Sequence, residues 1–147
     1  MHISPRRRSS GFTLVELLIV IVIIGVLATL GVAGVNIARS KARDAKRTAD
    51  IAQLQRAISL YATTVGKYPT SPTVACITGE DAVAEELKAK GAMTIVPGDP
   101  IAKSTLPAGT GAHCYVYQSA VGATYELRYY QERASDRGPA GTFMVGP

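Results

Sequence analysis

A long uncharged apolar run constrains this chain more than any other feature. Residues 17–38 contain no charged side chain, and Asn36 is the one strongly polar residue among them. A helix over this run would rise about 33 Å, which is enough to cross a hydrocarbon core of about 30 Å. A helix inside a soluble domain rarely needs such a run. We therefore expect one membrane-inserted helix near the N-terminus.

Basic residues flank the apolar run on both sides. Three arginines at residues 6–8 precede it, and they supply more than half of the formal net charge of +5. Five basic residues follow it: Arg39, Lys41, Arg43, Lys46 and Arg47. Charge placed in this way indicates contact with lipid headgroups, and we expect no nucleic-acid partner. Because the C-terminal flank is the more basic one, counting charges does not fix which end is cytoplasmic.

The order of the N-terminal signals is unusual for an export sequence. A secretory signal places its small-residue cleavage site after the apolar segment. Here the small residues Ser9, Ser10 and Gly11 come before it. Cleavage at Gly11 would remove residues 1–11 and keep the apolar helix on the mature chain.

The segment GFTLVE, residues 11–16, resembles the prepilin signal of type IV pilins and type II secretion pseudopilins. The resemblance implies that a prepilin peptidase cuts between Gly11 and Phe12 and that the new amino group of Phe12 is methylated. It also implies a single-pass protein of the cytoplasmic membrane with its N-terminus inside and its C-terminal domain outside. The later destination would be a periplasmic or extracellular fibre.

Glu16 is a carboxylate at the edge of the apolar run, where insertion into lipid is costly. The resemblance implies that Glu16 pairs with the Phe12 amine of a neighbouring subunit during assembly. Such a pair would relieve the burial of both charges and would penalise a wrong axial register. The alternative is that Glu16 extends to the headgroups by itself, since it lies one turn from the start of the helix.

The pattern after residue 38 predicts that the helix continues. No proline occurs between Pro5 and Pro69. Small residues recur with helical spacing at Ala38, Ala42, Ala45, Ala49 and Ala52, and larger ones at Ile51, Leu54, Ile58, Tyr61 and Val65. We predict one helix over about residues 12–65. Its larger stripe would pack on a globular part, and its alanines would allow another backbone to approach closely.

The remaining residues predict a small mixed head. Pro69 and Pro72 favour a loop that continues to Val74. The predicted elements beyond it are a helix over 80–90, a loop over 97–111, strands over 114–118 and 124–130 around a turn at Gly122, and an edge strand over 142–145. The fold class is α+β and type IV pilin-like: a long N-terminal helix, a short helix and an antiparallel hairpin or sheet.

This pattern divides the chain into four predicted segments. They are a cleaved leader (1–11), a transmembrane and assembly helix (12–38), an amphipathic continuation (39–65) and an extracytoplasmic head (66–147). The segments up to about Glu132 are similar to the G-type pseudopilins and to short type IV pilins. The G-type proteins hold calcium in an acidic C-terminal loop, but here Asp136 is the one acid after Glu132. We therefore predict no cofactor and no metal site.

Two cysteines lie in the predicted head. Because the implied topology places the head in an oxidising compartment, we expect a disulfide between Cys76 and Cys114. It would close a loop of 39 residues and stabilise the head by roughly 4 kcal/mol in the chain-entropy model. Two separate buried thiols are the alternative.

No catalytic motif is present in the sequence. His113 is the one histidine outside the predicted leader, and no nucleophile elbow, phosphate loop or metal-spaced cluster accompanies it. We predict a non-enzymatic subunit of a helical fibre, either a type IV pilus or a type II secretion pseudopilus. Its partners would be copies of itself, the peptidase, an assembly platform with its ATPase, and membrane lipid. The rival is a signal-anchored membrane protein whose head binds an adhesion target or DNA.

Overall fold

The computed structural model describes residues 11–101 and 114–147, without the side chains of residues 30–33. Its elements are α1 (Leu14–Val65), β1 (Ser71–Ile77), α2 (Ala82–Ala89), β2 (Tyr115–Ser119), β3 (Glu126–Gln131) and β4 (Gly141–Val145). The chain divides into two compact units, Met1–Ala38 and Arg39–Pro147. The predicted α+β, pilin-like arrangement of a long N-terminal helix and a small head is confirmed.

Helix α1 runs for 52 residues, close to the predicted bounds. It ends where Gly66 takes a positive φ of 82° and its N–H donates to the carbonyl of Ala62 at 2.8 Å. In the second unit, the predicted large stripe of α1 is buried: Ile51, Leu54, Ile58 and Tyr61 belong to the hydrophobic core. This part of the helix therefore derives its stability from packing against the head.

The four strands form one antiparallel sheet in the order β1-β2-β3-β4. Tyr117 of β2 pairs with Leu127 of β3, and Tyr129 of β3 pairs with Phe143 of β4. Alternate residues along each strand point to one face, so these aromatic and aliphatic side chains form the inner face of the sheet. That face joins the buried stripe of α1 in one core.

The sequence prediction of a loop through Val74 is wrong, because β1 occupies Ser71–Ile77. Proline removes a backbone donor and is tolerated at a sheet edge or an irregularity. β1 is an edge strand, and its register with β2 shifts between Ser71 and Ala75, where Pro72 lies. The predicted hairpin corresponds to β2 and β3, which are the central strands of a four-stranded sheet. The predicted edge strand over 142–145 corresponds to β4.

Helix α2 is shorter than the predicted span of 80–90, and its start is fixed by Asp81. The Asp81 carboxylate accepts from the Ala84 N–H at 3.0 Å, which is an N-cap bond. Val83, Ala84 and Leu87 point into the core. The helix thus closes one side of the core beside β1.

The turn between β2 and β3 contains a glycine that the geometry requires. Gly122 has a φ of 77°, and a Cβ at this position would lie 2.9 Å from the carbonyl oxygen of Tyr68. The Tyr68 N–H donates to the Gly122 carbonyl at 2.9 Å. This bond ties the end of the α1–β1 connection to the hairpin.

Candidate assembly site

The residues of the predicted assembly signal form a compact hydrogen-bonded structure at the start of α1. One carboxylate oxygen of Glu16 accepts from the Thr13 backbone N–H at 2.9 Å and from the Thr13 hydroxyl at 2.7 Å. The Glu16 N–H donates back to the Thr13 hydroxyl at 3.2 Å. This is a capping box, in which residues three apart satisfy each other's polar groups at a helix N-terminus.

The capping box gives Glu16 a partner inside its own chain. A Thr-x-x-Glu pattern before an apolar run predicts such a box, and the sequence analysis missed this signal at Thr13. The two Thr13 donors, one amide and one hydroxyl, satisfy one oxygen of the Glu16 carboxylate and so lower the free-energy cost of removing it from water. Phe12 lies four residues before Glu16, just before the helix, and is 78% exposed. Gly11, the other predicted cleavage residue, is exposed just before the helix.

The first unit exposes the apolar side chains of α1 on all sides. They include Leu17, Ile21, Ile24 and Leu27. By length and composition, α1 is able to cross a membrane. A helix that is apolar all round requires a lipid or protein surrounding. The predicted alanine stripe is likewise exposed from Ala38 to Ala49 in the part of the chain that the structure describes.

The second unit contains an ionic cluster around the buried guanidinium of Arg47, which is 0% exposed. Arg47 donates to both carboxylate oxygens of Asp99, from Nε at 2.7 Å and from Nη2 at 3.1 Å. Its Nη1 donates to Asp44 and to Glu132, both at 2.8 Å. Arg43 forms a second, two-pronged ion pair with Glu132.

This cluster connects three separate segments of the chain. Asp44 accepts hydrogen bonds from the backbone N–H groups of Glu132 at 2.9 Å and Arg133 at 3.0 Å. The segment after β3 is therefore bound to α1 both by ion pairs and by backbone hydrogen bonds. Hydrogen bonds from Arg43 and Arg47 lower the pKa of Glu132 to about 2. Burial alone would lower the pKa of Arg47, but its bonds to Asp99 and Glu132 raise it above the ordinary value.

The five basic residues after the apolar run therefore fall into two groups. All five were predicted to contact lipid headgroups, but Arg43 and Arg47 form ion pairs with acids of the second unit. Arg39, Lys41 and Lys46 remain exposed. Two of the three acids that Arg47 contacts, Asp99 and Glu132, lie 52 and 85 residues away along the chain, and no local pattern predicts such contacts.

The structure joins Cys76 and Cys114 in a disulfide, with their Cα atoms 5.7 Å apart. Cys114 is buried, directly before β2, and Cys76 lies in β1. The bond therefore links neighbouring strands, as the sequence analysis expected. His113, which the sequence analysis assigned no role, lies outside the described residues.

The sequence predicted no set of oxygen ligands for calcium in this chain. Over residues 11–101 and 114–147, no group of three or more histidine, cysteine or acidic side chains is arranged to hold a metal ion. The carboxylates of Asp44, Asp99 and Glu132 do converge, but guanidinium nitrogens lie between them.

Comparison with known proteins addresses the N-terminal signal directly. Residues 6–32 match the family model described as the prokaryotic N-terminal methylation motif. The match contains the segment with the capping box, Gly11, Phe12 and Glu16.

Several proteins that are similar to this chain share the name "Type II secretion system core protein G". The protein from Aeromonas hydrophila is 42% identical over 66 residues, which cover 45% of this chain and 46% of that protein. The Escherichia coli K12 protein is 42% identical over 64 residues, or 44% of each chain. The Vibrio cholerae protein is 37% identical over 65 residues, again 44% of each. The match thus spans less than half the length of these relatives. No solved structure matches the chain.

Proposed function

We propose that this protein is a structural, non-enzymatic subunit of a helical fibre of the type IV pilus or type II secretion pseudopilus kind. The methylation motif carries the proposal, since it supports cleavage after Gly11 and methylation of Phe12. Similarity to core proteins of type II secretion favours the pseudopilus over the pilus. The apolar half of α1 would anchor the subunit in the cytoplasmic membrane, with the head outside.

In this proposal Glu16 aligns neighbouring subunits. Cleavage creates an ammonium group on Phe12, which lies four residues before Glu16 in the sequence. In the fibre, the ammonium of one subunit pairs with Glu16 of the next. Before assembly, the Thr13 donors occupy one Glu16 oxygen. The second oxygen is then available to an incoming ammonium while the capping box stays intact.

The apolar surface supports the same proposal. Side chains such as Leu27 are exposed in the first unit and require either lipid or other helices. A membrane supplies the first surrounding, and a bundle of identical helices supplies the second. A prepilin peptidase and an assembly platform with its ATPase are the partners that this transfer requires.

The processing step is tested by mass spectrometry of the membrane-bound protein after co-expression with a prepilin peptidase. We expect the mature chain to lack residues 1–11 and to carry one added methyl group on Phe12. A Gly11→Val variant is the control, and it should keep its leader. If the unaltered chain also keeps residues 1–11 in the presence of active peptidase, the proposal fails.

The assembly step is tested with Glu16→Gln, which keeps the shape and removes the charge. We expect normal cleavage, normal head stability and no fibres by electron microscopy. Glu80→Gln removes an exposed acid from the head and should assemble normally. Fibres of normal abundance from Glu16→Gln would contradict the pairing role of this carboxylate.

A further inference from the structure

Four exposed cations surround the first turns of α1 in the second unit. Arg39, Lys41 and Lys46 belong to α1, and Arg133 belongs to the segment after β3. Within the described residues, none of the four side chains forms an ion pair. We call them the basic collar. The sequence alone suggested five basic residues on one segment; the structure removes two of them and adds Arg133, which lies 87 or more positions further along the chain.

Helix geometry places the collar residues on both sides of α1. Arg39 and Lys46 are seven residues apart, so they lie on the same side, whereas Lys41 is rotated about 200° from Arg39. Lys41 precedes Asp44 by three residues, and Asp44 accepts from the Arg133 N–H at 3.0 Å. Arg133 therefore extends the collar on the Lys41 side. The buried ionic cluster fixes Arg133 there, because it anchors the backbone of this segment.

The position of the collar along the chain indicates its partner. Arg39 follows directly on the apolar run, and Lys46 lies about 10 Å further along the helix. The headgroup zone adds roughly 5–7 Å to each side of the hydrocarbon core. Electrostatic attraction reaches a further 8–10 Å at physiological salt. The flexible stems of lysine and arginine bring all four charges within that distance of a membrane surface.

We propose that the basic collar binds the anionic phospholipid headgroups of the leaflet that the head faces. The proposal rests on the membrane-anchored subunit proposed above and adds its lipid partner. Nearby acids do not cancel the collar. Glu132 and Asp44 are held by Arg43 and Arg47, and Asp50 is buried against the Tyr115 hydroxyl. Asp136 is the exposed acid of this segment. The collar would hold the subunit at a set depth until extraction breaks these contacts.

Lysine acylation of the full-length protein in vesicles tests this proposal. The protein is reconstituted into phosphatidylcholine vesicles with or without 30% phosphatidylglycerol, treated with a neutral acylating reagent, and digested for mass spectrometry. We expect Lys41 and Lys46 to react about fivefold more slowly in the anionic vesicles, since a basic residue near such a surface gains about 1 kcal/mol, or a factor of about five. Lys67 and Lys90, exposed elsewhere, should react equally in both.

Salt and variants identify the source of any protection. At about 1 M salt the screening length falls to about 3 Å, so the protection should disappear. Arg133→Gln should weaken the protection of Lys41 more than that of Lys46. Arg56→Gln, an exposed cation further along α1, is the control and should change neither. Inorganic phosphate added to neutral vesicles should not reproduce the effect, because the collar requires a charged surface.

The outcomes separate this proposal from the proposed function. If the protein fails to float with the vesicles, membrane anchoring itself is wrong. If it floats but Lys41 and Lys46 react equally in neutral and anionic vesicles, the collar proposal is overturned and the anchor stands. Protection that persists at about 1 M salt would indicate contact with another protein copy and would also overturn the collar proposal.

Discussion

The two halves of α1 have similar helix-forming residues and opposite surroundings. Leu27 in the first unit is 62% exposed, whereas Leu54 in the second is 0% exposed. In the second half the apolar residues follow one stripe, and the sheet covers that stripe. In the first half they cover the whole circumference. The periodicity of the apolar residues, more than their number, thus decides which half folds with its own chain and which requires lipid or other subunits.

The comparison also distinguishes two uses of charge. Glu16 is capped locally by Thr13 at an exposed helix start. Arg47 is buried and bridges acids from two distant segments. In our proposal, this local, exposed interaction stays intact and leaves one Glu16 oxygen for another subunit. Removing one partner of a buried, distributed interaction leaves an uncompensated buried charge, so we expect this cluster to stabilise the head.

The largest expected effect on the head is therefore that of Arg47→Met. Removing the guanidinium leaves the buried Asp99 without a cation, and we expect a loss of about 4 kcal/mol in the free energy of unfolding. The measurement is urea denaturation of the full-length protein in detergent, followed by near-ultraviolet circular dichroism. This signal reports tyrosines, because the chain has seven and no tryptophan.

Lys46→Met is the control for that experiment. Lys46 is the neighbouring residue and is exposed, so its substitution should change the free energy of unfolding by less than about 0.5 kcal/mol. Equal denaturation curves for Arg47→Met and the unaltered chain would show that the ionic cluster does not stabilise the head.

The comparison between the halves is tested directly by one substitution in each. Leu54→Ala empties a fully buried position and should lower the free energy of unfolding of the head by about 3 kcal/mol. Leu27→Ala, in the exposed half, should leave the head transition unchanged. The same denaturation measurement serves both variants. If Leu27→Ala destabilised the head as much as Leu54→Ala, the two units would not be energetically separate.

Local patterns were sufficient to predict much of this fold. The apolar run and the four- and three-residue spacing of larger side chains predicted α1 almost to its ends. Alternation around Tyr125, Leu127 and Tyr129 predicted β3, and the turn at Gly122 placed its partner. These signals are short-range. They indicate helical or strand periodicity with one buried face, and this periodicity depends only on residues close together in the sequence.

The parts that the sequence did not predict depend on distant contacts. Pro72 indicated a loop, because nothing local tells that β1 forms a sheet edge with an irregularity at this residue. Arg47 was predicted to be exposed beside a membrane. The acids that bind it, Asp99 and Glu132, lie far along the chain, so no local pattern indicates its burial. The capping box of Thr13 and Glu16 is the exception. Its pattern is local and could have been predicted, but Glu16 was interpreted only as an assembly residue.

A smaller effect is expected on acidification. The pKa of Glu132 is lowered to about 2 by Arg43 and Arg47, whereas the unfolded chain has a value near about 4.3. The stabilisation is therefore complete above pH of about 4.5 and is lost as the pH falls toward about 2. Because this side chain is partly exposed, we expect roughly 1–2 kcal/mol.

The acid effect is measured by urea denaturation at intervals between about pH 6 and pH 2. Glu132→Gln, which cannot titrate, is the control and should show a shallower pH dependence in this window. An identical pH dependence of the two proteins would indicate that Glu132 does not contribute to acid sensitivity.

The smallest effect compares the two N-caps of the molecule. Asp81 accepts backbone bonds from Thr78, Gly79 and Ala84, so Asp81→Ala should cost the head about 1 kcal/mol. Thr13→Ala removes the other cap, but it lies in the first unit. It should leave the head transition unchanged in the same denaturation assay and should reduce fibre formation, since Glu16 loses two donors. If Thr13→Ala shifted the head transition as much as Asp81→Ala does, the start of α1 would be coupled to the head, and the separation of the two halves would be wrong.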